Sequence, residues 1–232
     1  MTRDPLLIAL AALPGLLICW YIYHSDKYDK EPRLHLVICF ILGMLVTFPI
    51  LRIESWATRS GWDNPEHLGV ALFASFIIVA LTEEAAKFSI LLAYPYPRAF
   101  FNEPMDGIVY AVMISMGFAT FENVLYAGRF GWNTTLLRAF TAVPAHAAFA
   151  IIMGYFVGQS KFTFSRRARR RMLAVGLLAP FAVHGTYDFF ILQEAYDKLM
   201  VLALVVLAAS VYISRLMIAE QQERSPFRDG RP

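Results

Sequence analysis

The chain has 232 residues, of which 58% are hydrophobic and only 17% charged, with a mean hydropathy of +0.50 and a formal net charge of +3. A soluble domain is about half apolar and about a quarter charged, so this composition excludes an ordinary water-soluble fold. The apolar excess is gathered into blocks of roughly 17–25 residues, long enough to cross a bilayer core of about 30 Å.

In chain order the blocks predict an all-α, polytopic membrane bundle of about seven transmembrane helices, at 5–23, 34–51, 68–93, 106–127, 139–159, 172–192 and 197–218. The first has the wrong flanks for a cleavable signal peptide, with Tyr21–Tyr23 where small residues would be needed. Charge and helix breakers fill the connections, and only Gln193 to Lys198 separate the last two spans. Residues 1–220 read as one helix-bundle domain and 221–232 as a disordered polar cytoplasmic tail. Cys19 and Cys39 lie inside apolar blocks and form no disulfide framework or cysteine metal motif.

Lysines and arginines divide fourteen to six between the two sides, with Arg166, Arg167, Arg169, Arg170 and Arg171 on the richer one. The positive-inside rule then predicts a multi-pass cell-membrane protein with its N-terminus outside and its C-terminus in the cytoplasm. An arginine run beside a membrane touches anionic lipid, which explains it without nucleic acid as a partner.

Ionisable groups at the centre of a bilayer cost at least about 2.5–3.5 kcal/mol each, so those present need a reason. The third block reads Leu81-Thr82-Glu83-Glu84-Ala85-Ala86-Lys87; the fourth opens on Asp106-Gly107 and later carries Glu122-Asn123; the fifth holds His146 and the sixth His184 and Asp188. Glu83 with Lys87, and His184 with Asp188, are four apart and share a helix face. Small residues recur with them at steps of four: Gly107, Ala111, Ser115, Ala119 and Asn123 in one block, Ala142, His146, Ala150, Gly154 and Gly158 in the next. Such stripes let helix backbones approach closely, which turns the polar groups inward to a buried polar cavity. At about 1.5 Å per residue, Glu122, His146 and His184 lie roughly 8–12 Å below the outer end of their spans and Glu83 about 22 Å below its own. Lys87 and Asp106 fall near the cytoplasmic ends of their helices, where they could neutralise one another, and Asn123 reads as a helix-to-helix hydrogen bond.

Two carboxylates with two imidazoles can hydrolyse a bond in two ways. A glutamate can activate water while histidine stabilises the oxyanion. Alternatively, Glu83, His146 and His184 can hold a divalent metal such as zinc, although the HExxH spacing is absent.

The ordered set Asp29-Lys30-Glu31-Pro32, Glu83-Glu84-x-x-Lys87, Asp106-Gly107, Gly117-Phe118-Ala119-x-x-Glu122-Asn123, His146-Ala147 and His184-Gly185-x-x-Asp188 resembles the PrsW family of intramembrane proteases, relatives of the type II CAAX prenyl proteases. The resemblance covers about residues 26–190. It implies an intramembrane endopeptidase that cuts a membrane-anchored substrate, such as an anti-sigma factor, near its extracytoplasmic side. It also implies that the glutamate pair and the two histidines are the catalytic set, with Glu122 and Asp188 beside them. Lys87 stands where the prenyl protease relatives have arginine, and nothing supports prenyl recognition. Two rival readings are a proton-coupled transporter, which lacks the internal repeat common in carriers, and a catalytically silent scaffold subunit, which would tolerate loss of Glu83.

Overall fold

A computed structural model describes residues 4–62 and 66–228 of the chain. Within them the order is α1 (Pro5–Ser25), α2 (Arg33–Arg59), α3 (Leu68–Phe73), a π-helical stretch (Ala74–Leu81), α4 (Thr82–Ala93), α5 (Pro104–Phe140), α6 (Ala142–Phe162), α7 (Arg166–Leu192) and α8 (Met200–Glu223). No strand occurs among the described residues.

Among the described residues six helical stretches are long and apolar enough to cross a membrane, and one of them, residues 104–162, turns back on itself. The turn begins at Gly131, whose φ of 75° and ψ of −159° belong to a region only glycine adopts readily, and is completed at Thr141. Gly107, near the start of α5, then faces Gly154 and Gly158, near the end of α6. A Cβ on Gly107 would stand 2.3 Å from the Gly154 carbonyl oxygen, so the small-residue stripes form an antiparallel backbone-to-backbone seam. Counting this hairpin as two passes gives seven.

Residues 105–120 of α5 are all buried. A helix apolar or small on every side belongs at the centre of a bundle, and α1, α2 and α6 pack around this one. The outer helices expose large apolar side chains, among them Leu16, Leu45 and Val205, as lipid-facing surfaces require. Helix starts follow local chemistry. Asp4 accepts a hydrogen bond from the Leu6 N–H at 3.0 Å, Ser165 accepts one from Ala168 at 3.3 Å, and α5 opens with Pro104 inside a Glu103–Asp106 capping box.

Several boundaries move. α2 continues eight residues past the expected end at 51, and the arginine run begins a helix instead of lying in a loop. α8 continues to Glu223, with Gln221 buried, and Ser225 donates to Glu103, so the segment beyond 220 starts ordered and packed. Arg3, Arg231 and the tail beyond 228 lie outside the described residues.

Candidate active site

The π-helical stretch delivers the chain into Thr82-Glu83-Glu84. π-helical turns are rare and concentrate at functional sites. Glu83, Glu84 and Lys87 project from α4 into the interior and are each no more than 2% exposed. Lys87 Nζ lies 2.9 Å from Glu83 Oε2, 2.8 Å from Glu84 Oε1 and 3.3 Å from His146 Nδ1. The expected Lys87–Asp106 pair is therefore not formed: Lys87 belongs to the glutamate pair, and Asp106 faces the opposite end of the bundle.

His146, on α6, is fixed from both sides. Its Nδ1 faces an ammonium that can only donate, so Nδ1 accepts and Nε2 carries the proton, which points at Glu122 Oε2 at 3.2 Å. The Ser115 hydroxyl donates to the His146 carbonyl at 2.9 Å across the α5–α6 seam. His184, on α7, places Nδ1 2.9 Å from Glu84 Oε1 and Nε2 3.1 Å from Asp188 Oδ2, the pair expected from their four-residue spacing. Its ring stacks on Phe149 with centroids 4.9 Å apart. Asn123 donates to the Ala11 carbonyl on α1 at 2.9 Å, the interhelical bond expected of it.

The ligand atoms of Glu83, Glu84, His146 and His184 all lie within 4.8 Å of one another, and all four side chains are buried. They border a cavity of about 470 Å³ that Glu83, Glu122, His146, His184 and Asp188 line directly, while Glu84 sits behind them.

A family described as PrsW family intramembrane metalloprotease matches residues 31–214. The chain belongs to the PrsW family. Protease PrsW of Bacillus subtilis (strain 168) is 37% identical over 186 residues, covering 80% of this chain and 82% of that protein. Protease PrsW of Geobacillus kaustophilus (strain HTA426) is 36% identical over 202 residues, covering 85% and 87%. No solved structure matches the chain.

The metal that the PrsW family description implies fits these residues. Two carboxylates and two imidazoles are a suitable donor set for zinc, whose ligand atoms sit about 2.0–2.2 Å from the ion. The Glu84 Oε2 atom is buried without a hydrogen-bond partner, as an oxygen reserved for a ligand would be. Each carboxylate has two oxygens, so Lys87 and an ion can share the pair, whereas His146 Nδ1 and His184 Nδ1 would exchange their contacts with Lys87 and Glu84 for the ion.

Two cavity residues of this PrsW member were missed from sequence. Arg138 places Nη2 2.7 Å from Glu122 Oε2 and Nε 3.1 Å from Asn123 Oδ1, and its guanidinium covers the Tyr126 ring at 3.9 Å. Glu54, on the last turns of α2, lines the cavity without a hydrogen bond or ion pair among the described residues.

Proposed function

We propose that the chain hydrolyses a peptide bond of a membrane-anchored protein in this cavity, near the extracytoplasmic end of the substrate's span, with an anti-sigma factor as one substrate of that kind. The observation carrying this reading is the convergence of Glu83, Glu84, His146 and His184 beside a cavity within a membrane bundle. The carrier and scaffold alternatives have no comparable support.

Glu83 faces the cavity and Glu84 lies behind it, which favours Glu83 as the base. The carboxylate of Glu83 takes a proton from water as the water oxygen bonds to the scissile carbonyl carbon. The same proton then passes to the leaving amide nitrogen as the C–N bond breaks. Lys87 holds both glutamates in register. His146, oriented by Glu122, and His184, oriented by Asp188, supply the imidazoles facing the carbonyl oxygen, while Arg138 holds Glu122 in place. A divalent ion such as zinc, held by Glu84, His146 and His184, would polarise the carbonyl and acidify water, leaving Glu83 as the base.

Glu83→Gln retains the shape and the hydrogen bond to Lys87 but removes the base. Cleavage of a reporter substrate in reconstituted membranes is expected to fall by about 10²–10⁴ with thermal stability retained. Near-normal turnover would overturn the assignment.

A further inference from the structure

A second group of carboxylates lies at the far end of α5. Asp106 is 16 residues before Glu122 on that helix, roughly 24 Å at about 1.5 Å per residue, so this group is separate from the protease centre. It comprises Asp26 and Glu31 from the α1–α2 connection, Glu103 just before α5, and Asp106 in its first turn. Their exposures are 1%, 3%, 1% and 0%. None of the four makes an ion pair among the described residues. The nearest ammonium groups are engaged elsewhere: Lys30 donates to the carbonyls of Tyr23 and Asp26, and Lys161 to that of Arg98.

Hydrogen bonds satisfy part of the group. Asp106 Oδ2 accepts from the Asn102 and Glu103 backbone N–H groups at 2.6 and 2.8 Å, Tyr110 donates to Glu31, and Ser225 donates to Glu103. Asp26 Oδ2 is buried without a hydrogen-bond partner, and Asp106 Oδ1 is buried without an N–H or hydroxyl donor, its carboxyl facing that of Glu31. Burial pushes Asp26 and Glu31 up to about 7; the Glu103 and Asp106 carboxylates raise Asp26 further, while hydrogen bonds with Asp106 and Tyr110 hold Glu31 back. Buried charges in proteins are paired or coordinate metals, and among the described residues no cationic side chain forms an ion pair with this group, Lys30 and Lys161 acting on it from beyond that range.

We propose that Asp26, Glu31, Glu103 and Asp106 bind a hard divalent cation, of the magnesium or calcium class, that staples the α1–α2 connection to the start of α5. The donors are all oxygen, which suits those ions and sets this site apart from the imidazole-containing protease centre. Among the described residues the protease centre is the one group whose donor atoms already stand gathered as for an ion. Here Asp106 Oδ2 keeps its two backbone hydrogen bonds, and binding requires Asp26 and Glu31, both on the α1–α2 connection, to turn toward Asp106 Oδ1.

The test uses the full chain in lipid nanodiscs, stripped with a chelator and titrated with magnesium or calcium alone. One ion per chain by calorimetry, and a rise of several degrees in the unfolding temperature, are expected with at least one of the two. The double variant Asp26→Asn/Asp106→Asn should lose both responses, whereas His146→Ala/His184→Ala should keep them. Glu31→Gln, which still accepts from Tyr110, should weaken binding at least tenfold and serves if the double variant does not fold. Neither heat nor stabilisation with either ion would overturn the proposal. So would unchanged binding in the Glu31 and Asp26/Asp106 variants, or loss of the response in the histidine variant.

Discussion

Lys87 carries the charge balance of the centre. Its ammonium is 2% exposed and touches two carboxylates and an imidazole while lying 4.4 Å from the Phe118 ring centroid. Removing one partner of a buried ion pair leaves an uncompensated charge and costs about 3–5 kcal/mol. Lys87→Met should therefore lower the unfolding temperature sharply as well as abolish cleavage. Adding Glu84→Gln should recover part of the stability, because the loss comes from charge and not from shape; a double variant no more stable than the single one would refute this. The sequence displayed this group plainly, since Glu83, Glu84 and Lys87 sit within seven apolar-flanked residues. It hid Arg138 and Glu54, each assigned to a connection by a misplaced helix end. A signal for Arg138 was present: Arg138, Ala142 and His146 continue one stripe at steps of four. For Glu54 it was Trp56, an interfacial residue type that places the membrane boundary beyond Glu54.

At the scale of elements, the α5–α6 seam positions the site. His146 reaches Glu122 and Lys87 only because the two backbones lie close along the glycine and alanine stripes, and Ser115 ties the seam at His146 itself. A Cβ on Gly154 would stand 2.3 Å from the Gly107 carbonyl oxygen, a backbone atom that cannot rotate aside. Gly154→Leu is expected to prevent folding or to separate the helices with loss of activity, whereas Gly69→Ala, whose Cβ meets nothing within 4 Å, should behave as the parent. Thermal unfolding and cleavage of both variants decide this, and a stable, active Gly154→Leu chain would dissolve the seam argument. The stripes were legible because period-four small residues have one main use in a membrane. The π-helical stretch was not, because its residues, Ala74-Ser75-Phe76-Ile77-Ile78-Val79-Ala80-Leu81, carry no local mark that separates them from an α-helix. The Lys87–Asp106 expectation failed on depth: counting residues placed both near one end of the bundle, but Lys87 lies beside Phe118 and His146, whereas Asp106, twelve residues before Phe118 on α5, sits at the far end of that helix near Glu31 and Tyr110.

For the whole molecule, the position of the cavity along α7 joins the site to the membrane. Ile191, Leu192 and Glu194, at and just past the end of α7, line the cavity together with Trp62 beyond the end of α2. The arginines from 166 to 171 form the opposite end of α7, which at 27 residues is roughly 40 Å long. If that basic end is cytoplasmic, as the distribution of lysine and arginine predicts, the cavity mouth faces outward and so does the cut. A membrane-anchored substrate would then reach the mouth through the bilayer, already confined to two dimensions. Its helix must open locally there, because a helical backbone hides its carbonyls in internal hydrogen bonds. Two measurements on one set of chains check this. With Cys19 and Cys39 replaced and a single cysteine at 166 or 194, an impermeant maleimide on intact cells should label position 194 and reach 166 only after permeabilisation. Mass spectrometry of a cleaved single-span reporter should then place the new terminus within or just beyond the outer end of its helix. Labelling of 166 from outside would reverse the orientation, and equal cleavage of the same peptide freed from its anchor would remove lateral access as the source of selectivity.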